Sequence, residues 1–554
     1  MVTASVWMIL GAAWADLPAG APVPEAIDLQ VGPEGLDVLS AVAPSLLPTD
    51  ALAIDDTFGQ TGAPQFCLGY SYGLENISAD FEVVDLALIP EADALVLDAE
   101  LLVSLNDAAN NFTLTLDAIC LIDEVCEGWI DPFTLNVTAP ITLEAVGSPG
   151  ARTLQATVGE LDLSQTLSAN ELNTGCTLDD IEQVLNAFGL SLFDLLIGLF
   201  GETIGTSIED ALNEALVAVA LSGETSLGEG TLTYAIEPAE VIHSTFGLEI
   251  VLAGLLDAPQ AECVADDDPG SSRSTGAGLP NPADNPAGTQ LAVHAHGDLI
   301  QQALYAAWRG GALCLEVGGD DDGLDLGGLA LDTSLLGLIG GEELGALYPE
   351  PKPVVLEVRP HAPPEASFAG PTDVTAELRE LELVFLAELD GRMARGLGVE
   401  VDADIAVDLL FDDVGGTLGV DVGVNPDDIS ARLAGDAMVA GIADRIESDF
   451  PGVMATLLDS LLPSLVGDAL AFPLPTFEGL GLVGLEVGPS GGGDWLGLFA
   501  ELGTPTYADP AATGCGCDGE ASTCEGGCAT APVTGWTGLW VLLLAALRRR
   551  RQDP

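Results

Sequence analysis

The chain has 554 residues, 48% of them apolar, and 87 acidic side chains against 14 basic ones, for a formal net charge of −73. That apolar content excludes a disordered acidic tail, which needs low hydrophobicity as well as charge, and the length allows two or more domains. So few cations, with Lys352 the one lysine, exclude gripping DNA, RNA or anionic headgroups through a basic patch, because that affinity comes from neutralised phosphates.

Residues 2–13 are mostly apolar, and Ala13-Trp14-Ala15 has the form of an A-x-A cleavage site before Asp16. The segment 1–15 therefore reads as a secretory signal peptide, although no Lys or Arg precedes it. The next stretch, 16–256, forms a first domain. In 95–105, Leu95, Leu97, Ala99, Leu101, Val103 and Leu105 alternate with Asp98, Glu100 and Ser104. Period two over this length predicts a long antiparallel strand with one buried and one wet face. The rhythm breaks at Thr177, where Asp180 completes a capping-box-like start. Ile181, Val184, Leu185, Phe188, Leu192, Leu195, Leu196 and Leu199 then recur at helical spacing, and Ile208, Leu212, Leu216 and Val219 continue it after two glycines. A segment rich in Asp, Gly, Pro and Ser, 257–290, reads as a linker.

The second domain, 291–504, repeats the plan. Leu397, Val399, Val401, Ala403, Ile405, Val407, Leu409 and Phe411 alternate with acidic residues. From about Ile442 a helical pattern carries Ile446, Phe450, Leu457, Leu458, Leu461, Leu462, Leu465 and Val466, and Pro451 and Pro463 are expected to kink or divide it. A Cys-containing spacer, 505–530, holds Cys515, Cys517, Cys524 and Cys528. In 531–554 an apolar run ends at Arg548, Arg549, Arg550 and Arg551. The run Ala531–Leu547 is short against the ~20 residues that span hydrocarbon. The order of cysteines, apolar helix and Arg cluster resembles the MYXO-CTERM sorting signal of myxobacterial surface proteins. That resemblance implies anchoring or processing through these cysteines and arginines.

Several motifs suggest chemistry. Gly69-Tyr70-Ser71-Tyr72-Gly73 fits the hydrolase nucleophile elbow, which needs a helix after it; the alternation that follows reads as strand instead. His294 and His296 share a strand face and could begin a metal site, but a solvent-facing pair is expected. Asp320-Asp321-Asp322-Gly323-Leu324-Asp325 could hold calcium but lacks EF-hand spacing. The four tail cysteines crowd as zinc ligands do, although disulfides or lipid attachment suit an exported chain better. The six body cysteines, Cys67, Cys120, Cys126, Cys176, Cys263 and Cys314, suggest disulfides whose pairing stays open.

Over about 30–504 the body resembles the bactericidal/permeability-increasing protein and its lipid-transfer relatives, the TULIP group. The residues that carry this are Gly35-Leu36-Asp37 leading to Leu46-Leu47-Pro48, the segment 303–317, Leu347-Tyr348-Pro349, the strand Val354–Val358, His361-Ala362-Pro363-Pro364, and Phe472-Pro473-Leu474-Pro475. The collinear order of these pieces, not any one of them, makes the match. The resemblance implies an α+β fold of two tandem TULIP-like barrels, each a twisted antiparallel sheet wrapped around a long helix, in a boomerang joined by a central sheet. It implies acyl chains in apolar grooves lined by Leu185, Phe188, Leu192, Leu195, Leu196, Leu199, Leu457, Leu458, Leu461 and Leu465. The family's basic N-terminal tip has no counterpart here, and its strand-to-helix disulfide would need a cysteine within 181–222, where none occurs.

The expectation is a non-enzymatic, exported lipid-binding or lipid-transfer protein at the cell surface or outer membrane, with extracellular release as the alternative. Its partners would be lipid, a membrane reached through the tail, and sorting or processing machinery, with no nucleic acid. It would need no cofactor and no metal; the bound molecule would be phospholipid or fatty acid, with calcium a weak second. The alternatives are a structural or adhesive surface protein of the same fold, and, more distantly, an esterase built on Ser71.

Overall fold

A computed structural model describes residues 16–42, 52–54, 57–63, 68–118, 122–165, 172–174, 204–210, 212–213, 216, 221–227, 230–276, 278–318, 331–368, 372–389, 391–412, 417–434, 440–466, 472–473 and 481–504. Among these, strand dominates and helices are few.

Three large antiparallel sheets organise the chain. The first has ten strands, in the order Leu52–Ile54, Ile77–Pro90, Leu95–Leu105, Ile122–Val146, Phe112–Ala118, Leu68–Glu75, Thr57–Ala63, with Thr153–Val158, Asp162–Gln165 and Leu172–Thr174 also paired to Ile122–Val146. The predicted alternation is realised in Leu95–Leu105, where Leu95, Leu97, Ala99, Leu101, Val103 and Leu105 are buried. Leu135, Val137 and Ile141 of the neighbouring strand join them in one core. Burying each large aliphatic side chain stabilises by about 1.5–3 kcal/mol, so this two-strand seam alone fixes the register: a one-residue slip would turn the whole set to water.

Residues 204–210 are helical, and Ile204 and Ile208 enter the same core. From residue 213 the Asn side chain meets the outer edge of Thr153–Val158: Asn213 Oδ1 accepts from Ala156 N at 2.8 Å and its Nδ2 donates to Ala156 O at 3.1 Å. Glu209 accepts from Val158 N. These side chains occupy backbone groups that an exposed edge would offer to another chain.

The central sheet mixes both halves: Leu221–Leu227, Gly230–Ser244, Gly247–Asp257, Val23–Val31, Leu291–His296, Trp495–Gly503 and Gly481–Ser490 follow one another. Its apolar face, with Ile27, Ile250, Leu252, Val293 and Leu498, belongs to the large core. Gly35, in the helix Pro33–Val42, lets that helix pass the chain at Gln290; a Cβ there would sit 2.1 Å from Gln290 O.

The third sheet runs Leu315–Gly318, Val354–Pro360, Val374–Leu389, Arg392–Asp412, Thr417–Leu433, Phe472–Pro473, with Glu365–Ser367 also on Val374–Leu389. The helix Ala443–Val466 lies on it, and Ile446, Phe450 and Met454, four residues apart, pack with Val399, Val401 and Ile429. Pro451 and Pro463 do not divide this helix. At Pro451 the packed apolar stripe of Ile446, Phe450 and Met454 outweighs the backbone hydrogen bond that the proline removes, which is the tertiary override of a local breaker.

The barrels expected from the resemblance are not closed among the described residues. Among the described residues both outer sheets are open, ending on short strands such as Leu52–Ile54 and Phe472–Pro473. A two- or three-residue edge has too few backbone groups to zip against the opposite edge and complete a ring.

The acidic segment 257–290 is tied down along its length. Cys263 is bonded to Cys314, and Leu17–Pro18 pairs with Ser271–Ser272. Asp268 accepts from Tyr305 Oη at 2.6 Å and from Arg309 Nε at 3.1 Å, while Arg309 also meets Asp257 at 3.0 Å. Cys126 is disulfide-bonded as well.

Candidate functional site

The C-terminal sheet carries an apolar face that changes character along its strands. Leu397, Val399, Val401 and Ala403 are sealed under the helix. The register then shifts between Ala403 and Ile405, and on the neighbouring strand between Leu378 and Leu381. Beyond those irregularities Ile405, Val407 and Leu409 continue the same alternation but are only partly buried. Val374 stands opposite Val407, Ala376 opposite Ile405, and Val424 and Val422 opposite Ile405 and Val407 on the other side; all four flanking residues are partly buried too. A β-bulge bends the strand and re-aims its side chains, which is how one alternating run serves first as core and then as accessible apolar wall. At the far end Leu409 and Val374 pack with Phe368 and Leu496 near the central sheet, and Val424 packs on the core under the helix, which leaves Ile405 and Val407 between the two clusters. The result is an apolar band leading from the helix Ala443–Val466 to the middle of the molecule.

A second site lies on the other face of the central sheet. Alternation in Val23–Val31 and Leu291–His296 puts Asp28, Gln30, His294 and His296 on this side, and all four are buried. The segment 271–290 covers them. Gln30 Nε2 donates to Pro280 O at 3.2 Å, Asn285 Nδ2 donates to Gln30 Oε1 at 2.8 Å, and Trp495 Nε1 donates to Gly278 O at 2.9 Å. The solvent-facing histidine pair expected from the sequence is thus corrected: a strand's polar face looks wet only until something lies on it. His294 Nδ1 meets Ser490 Oγ at 2.9 Å, its ring sits edge-on to Phe499, and its Nε2 has no hydrogen-bond partner. Burial pulls its pKa down to about 4, so the ring is neutral. Burial and the adjacent Glu249 push the Asp28 carboxyl up to about 8, and burial raises Glu249 as well.

A third polar cluster joins the acidic segment to the C-terminal sheet. His361 Nδ1 lies 2.7 Å from Asp267 and its Nε2 3.4 Å from Glu382, which also receives Arg395. Burial works against the imidazolium, but the two carboxylates outweigh it and raise the His361 pKa.

Ser71 lies within Leu68–Glu75, paired with Gln60 and Asp117, and the strand Ile77–Pro90 follows. The strand–turn–helix that a nucleophile elbow requires is therefore missing at this serine. The expected groove residues Leu185, Phe188, Leu192, Leu195, Leu196 and Leu199 lie outside the described residues. Leu457, Leu458, Leu461 and Leu465 fall on the helix Ala443–Val466, but their side chains lie outside what is described. So do Asp320–Asp325, the four tail cysteines and Arg548–Arg551. The band built on Ile405, Val407 and Leu409 was in view as strand alternation but not as a site; the signal was an alternating apolar run longer than its helix could cover. Among the described residues no cluster of three or more His, Cys, Asp or Glu is placed to hold a metal, and no helix is long and apolar enough to cross a membrane.

No family model matches the chain, and no curated protein does. Solved structures do. The crystal structure of lipopolysaccharide binding protein aligns with 88% of this chain and 100% of its own, at 12% identity and a TM-score of 0.43. P47 of Clostridium botulinum E1 aligns with 87% of this chain and 100% of its own, at 7% identity and 0.27. Takeout 1 of Epiphyas postvittana aligns with 34% of this chain and 94% of its own, at 11% identity and 0.22. Likenesses this distant carry no argument about function, which has to come from the chain's own surfaces.

Proposed function

We propose that this chain is an exported lipid-binding protein that holds acyl chains against apolar sheet surface and performs no covalent chemistry. The observation that carries the reading is the partly buried pair Ile405 and Val407, which belong to neither core, in the gap between Val424, packed on the core under the helix, and Val374 and Leu409, packed on the Phe368 cluster. Aliphatic surface left accessible beside a sealed core is costly unless a ligand covers it, at roughly 25 cal/mol per Å², and a flexible hydrocarbon chain fits a shallow strip between strands and helix. The resemblance of the body to the TULIP group points the same way. By that resemblance, Leu457, Leu458, Leu461 and Leu465 extend this groove, and Leu185, Phe188, Leu192, Leu195, Leu196 and Leu199 line its N-terminal counterpart. The ligand's acyl chains would be recognised, not its phosphates: the described cations are dispersed among carboxylates, as Arg309, Arg379 and Arg395 are.

The test is uptake of a fluorescent fatty acid from neutral vesicles. Saturable transfer to the protein is expected; uptake no greater than to an acidic control protein of similar size would reject the reading. Export and anchoring rest on the signal-like start and the tail. In cells, truncation before Cys515 should release folded protein into the medium, and truncated protein that stays cell-bound would contradict anchoring through the tail.

A further inference from the structure

The strand Ile122–Val146 outruns one of its neighbours. Its ladder with Leu95–Leu105 ends at the pair Leu95–Ile141, while on its other edge Thr153–Val158 stays paired as far as Val146. Beyond Ile141 a backbone N–H still needs an acceptor, and Leu143 N finds one on the central sheet, donating to His243 Nε2 at 3.3 Å. The turn that follows is held by the same central strand, Gly230–Ser244. Glu237 accepts from Gly150 N at 2.9 Å and from Arg152 N at 3.1 Å, one with each carboxylate oxygen. Where the register of that strand shifts between Pro238 and Glu240, Ala239 O accepts from Arg152 Nη1 at 3.5 Å. Among the described residues the first sheet is thus fastened here by a row of side-chain contacts over the shared core, not by a strand ladder.

His243 is the link in this row whose chemistry reverses with pH. A backbone N–H can only donate, so Nε2 is unprotonated and the ring neutral. The imidazolium has donors on both nitrogens and no acceptor, so protonation sets donor against donor at Leu143. Burial holds the ring's pKa below the usual histidine value, against the pull of Asp93, on the turn before Leu95–Leu105, and of Glu144, next to Leu143 in the chain. Arg152 and Glu237 meet further along the row and hold the turn, not the ring. Behind the row is core. Leu143, Leu154 and Ala156 of the first sheet and Ile236 of the central sheet are buried in one cluster, with Val241 packed on it.

We propose that this seam is an acid-opened joint: protonation of His243 releases Leu143 N–H, and the end of the hairpin lifts from the central sheet and uncovers the apolar core behind it. The sign follows from linkage. The closed seam favours the neutral ring, so its hold is complete above the ordinary histidine value of about 6.5 and is lost as pH falls through the lowered one. The His361 contact has the opposite sign, because its carboxylates favour the charged ring; it tightens over the same fall in pH. Acid therefore loosens one particular joint while another holds, which is the mark of a switch and not of unfolding. The inference stands apart from the lipid-binding reading, and its test measures opening, not uptake.

Hydrogen exchange of the full-length chain, followed by mass spectrometry from about pH 7.5 to about pH 5 and corrected for the intrinsic pH dependence of exchange, reads the joint directly. Opening of peptides within 141–158 should increase as pH falls below about 6.5, with a slope approaching tenfold per unit, and level off at the ring's lowered value. Nile red fluorescence should rise over the same range as core is uncovered. His243→Gln offers an amide oxygen in place of Nε2 and carries no titrating group, so it should stay folded and closed throughout. His243→Ala leaves Leu143 N unpaired and should open the same peptides at every pH. Peptides within 95–105 and 397–403, sealed in the two cores, should keep their protection. Unchanged exchange in 141–158 across this range, acid opening retained in His243→Gln, or loss of protection in 95–105 and 397–403 in step with 141–158 would overturn the proposal.

Discussion

Replacing Val407 by Asp separates an accessible apolar wall from ordinary core. Val407 lies between Val374 and Val422 on the adjacent strands and is partly buried. Complete burial of a valine is worth about 1.5–3 kcal/mol, so the part lost here is about 1 kcal/mol. The new carboxylate keeps access to water and escapes the large penalty of an unpaired buried charge. Phe450, 1% exposed in the core under the helix, is the comparison; Phe450→Ala should cost about 3–5 kcal/mol from lost transfer energy plus cavity. Against a typical total of about 5–15 kcal/mol, the first variant stays folded and the second loses a large share of its stability. Urea denaturation measures both costs, and fatty-acid uptake measures the ligand surface. Val407→Asp should lose most uptake with its denaturation midpoint little changed. A cost for Val407→Asp equal to that of Phe450→Ala would show the band to be core, and unchanged uptake would show that it holds no acyl chain.

Two further outcomes follow from charge. His361 titrates above the ordinary histidine value because of Asp267 and Glu382. Its hold on the acidic segment is therefore complete below about pH 6.5 and fades as pH rises through the raised value. Ring chemical shifts in an NMR titration should place its midpoint above that of a histidine peptide, and amide exchange at 266–268 should speed up beyond that midpoint; a midpoint at or below the peptide's refutes the arrangement. Vesicle association should neither strengthen with anionic lipid nor weaken steeply with salt, unlike that of a basic-patch binder. Cosedimentation across salt and lipid composition checks this, and a strong salt-sensitive affinity for lipopolysaccharide would contradict it.

Leu95–Leu105 was legible to the residue because one face is core and the other is wet, so burial and sequence share a single period. The helix start near Ile442 was legible for the same reason, with Ile446 and Phe450 marking its buried stripe. Asp28, Gln30 and His294 were not. In Ile27-Asp28-Leu29-Gln30-Val31 the alternation reads as apolar in and polar out, yet Asp28 and Gln30 are more deeply buried than Leu29 and Val31. Alternation reports polarity, not cover. The cover comes from 271–290, whose Gly, Pro and Ser have no apolar period of their own. They dock through backbone carbonyls of Gly278 and Pro280, which any residue could supply. The change from core to accessible wall beyond Ala403 was hidden similarly: the apolar period runs on unbroken through Leu409, and only the register shift shows where the face is no longer sealed.

Native mass spectrometry of the purified full-length chain, with organic extraction of the same sample, tests the lipid-binding claim most directly. The account predicts protein carrying phospholipid or fatty acid in stoichiometric amount, with the bound mass released on denaturation and recovered in the extract. Folded protein that carries no lipid, and acquires none after incubation with vesicles, would contradict it.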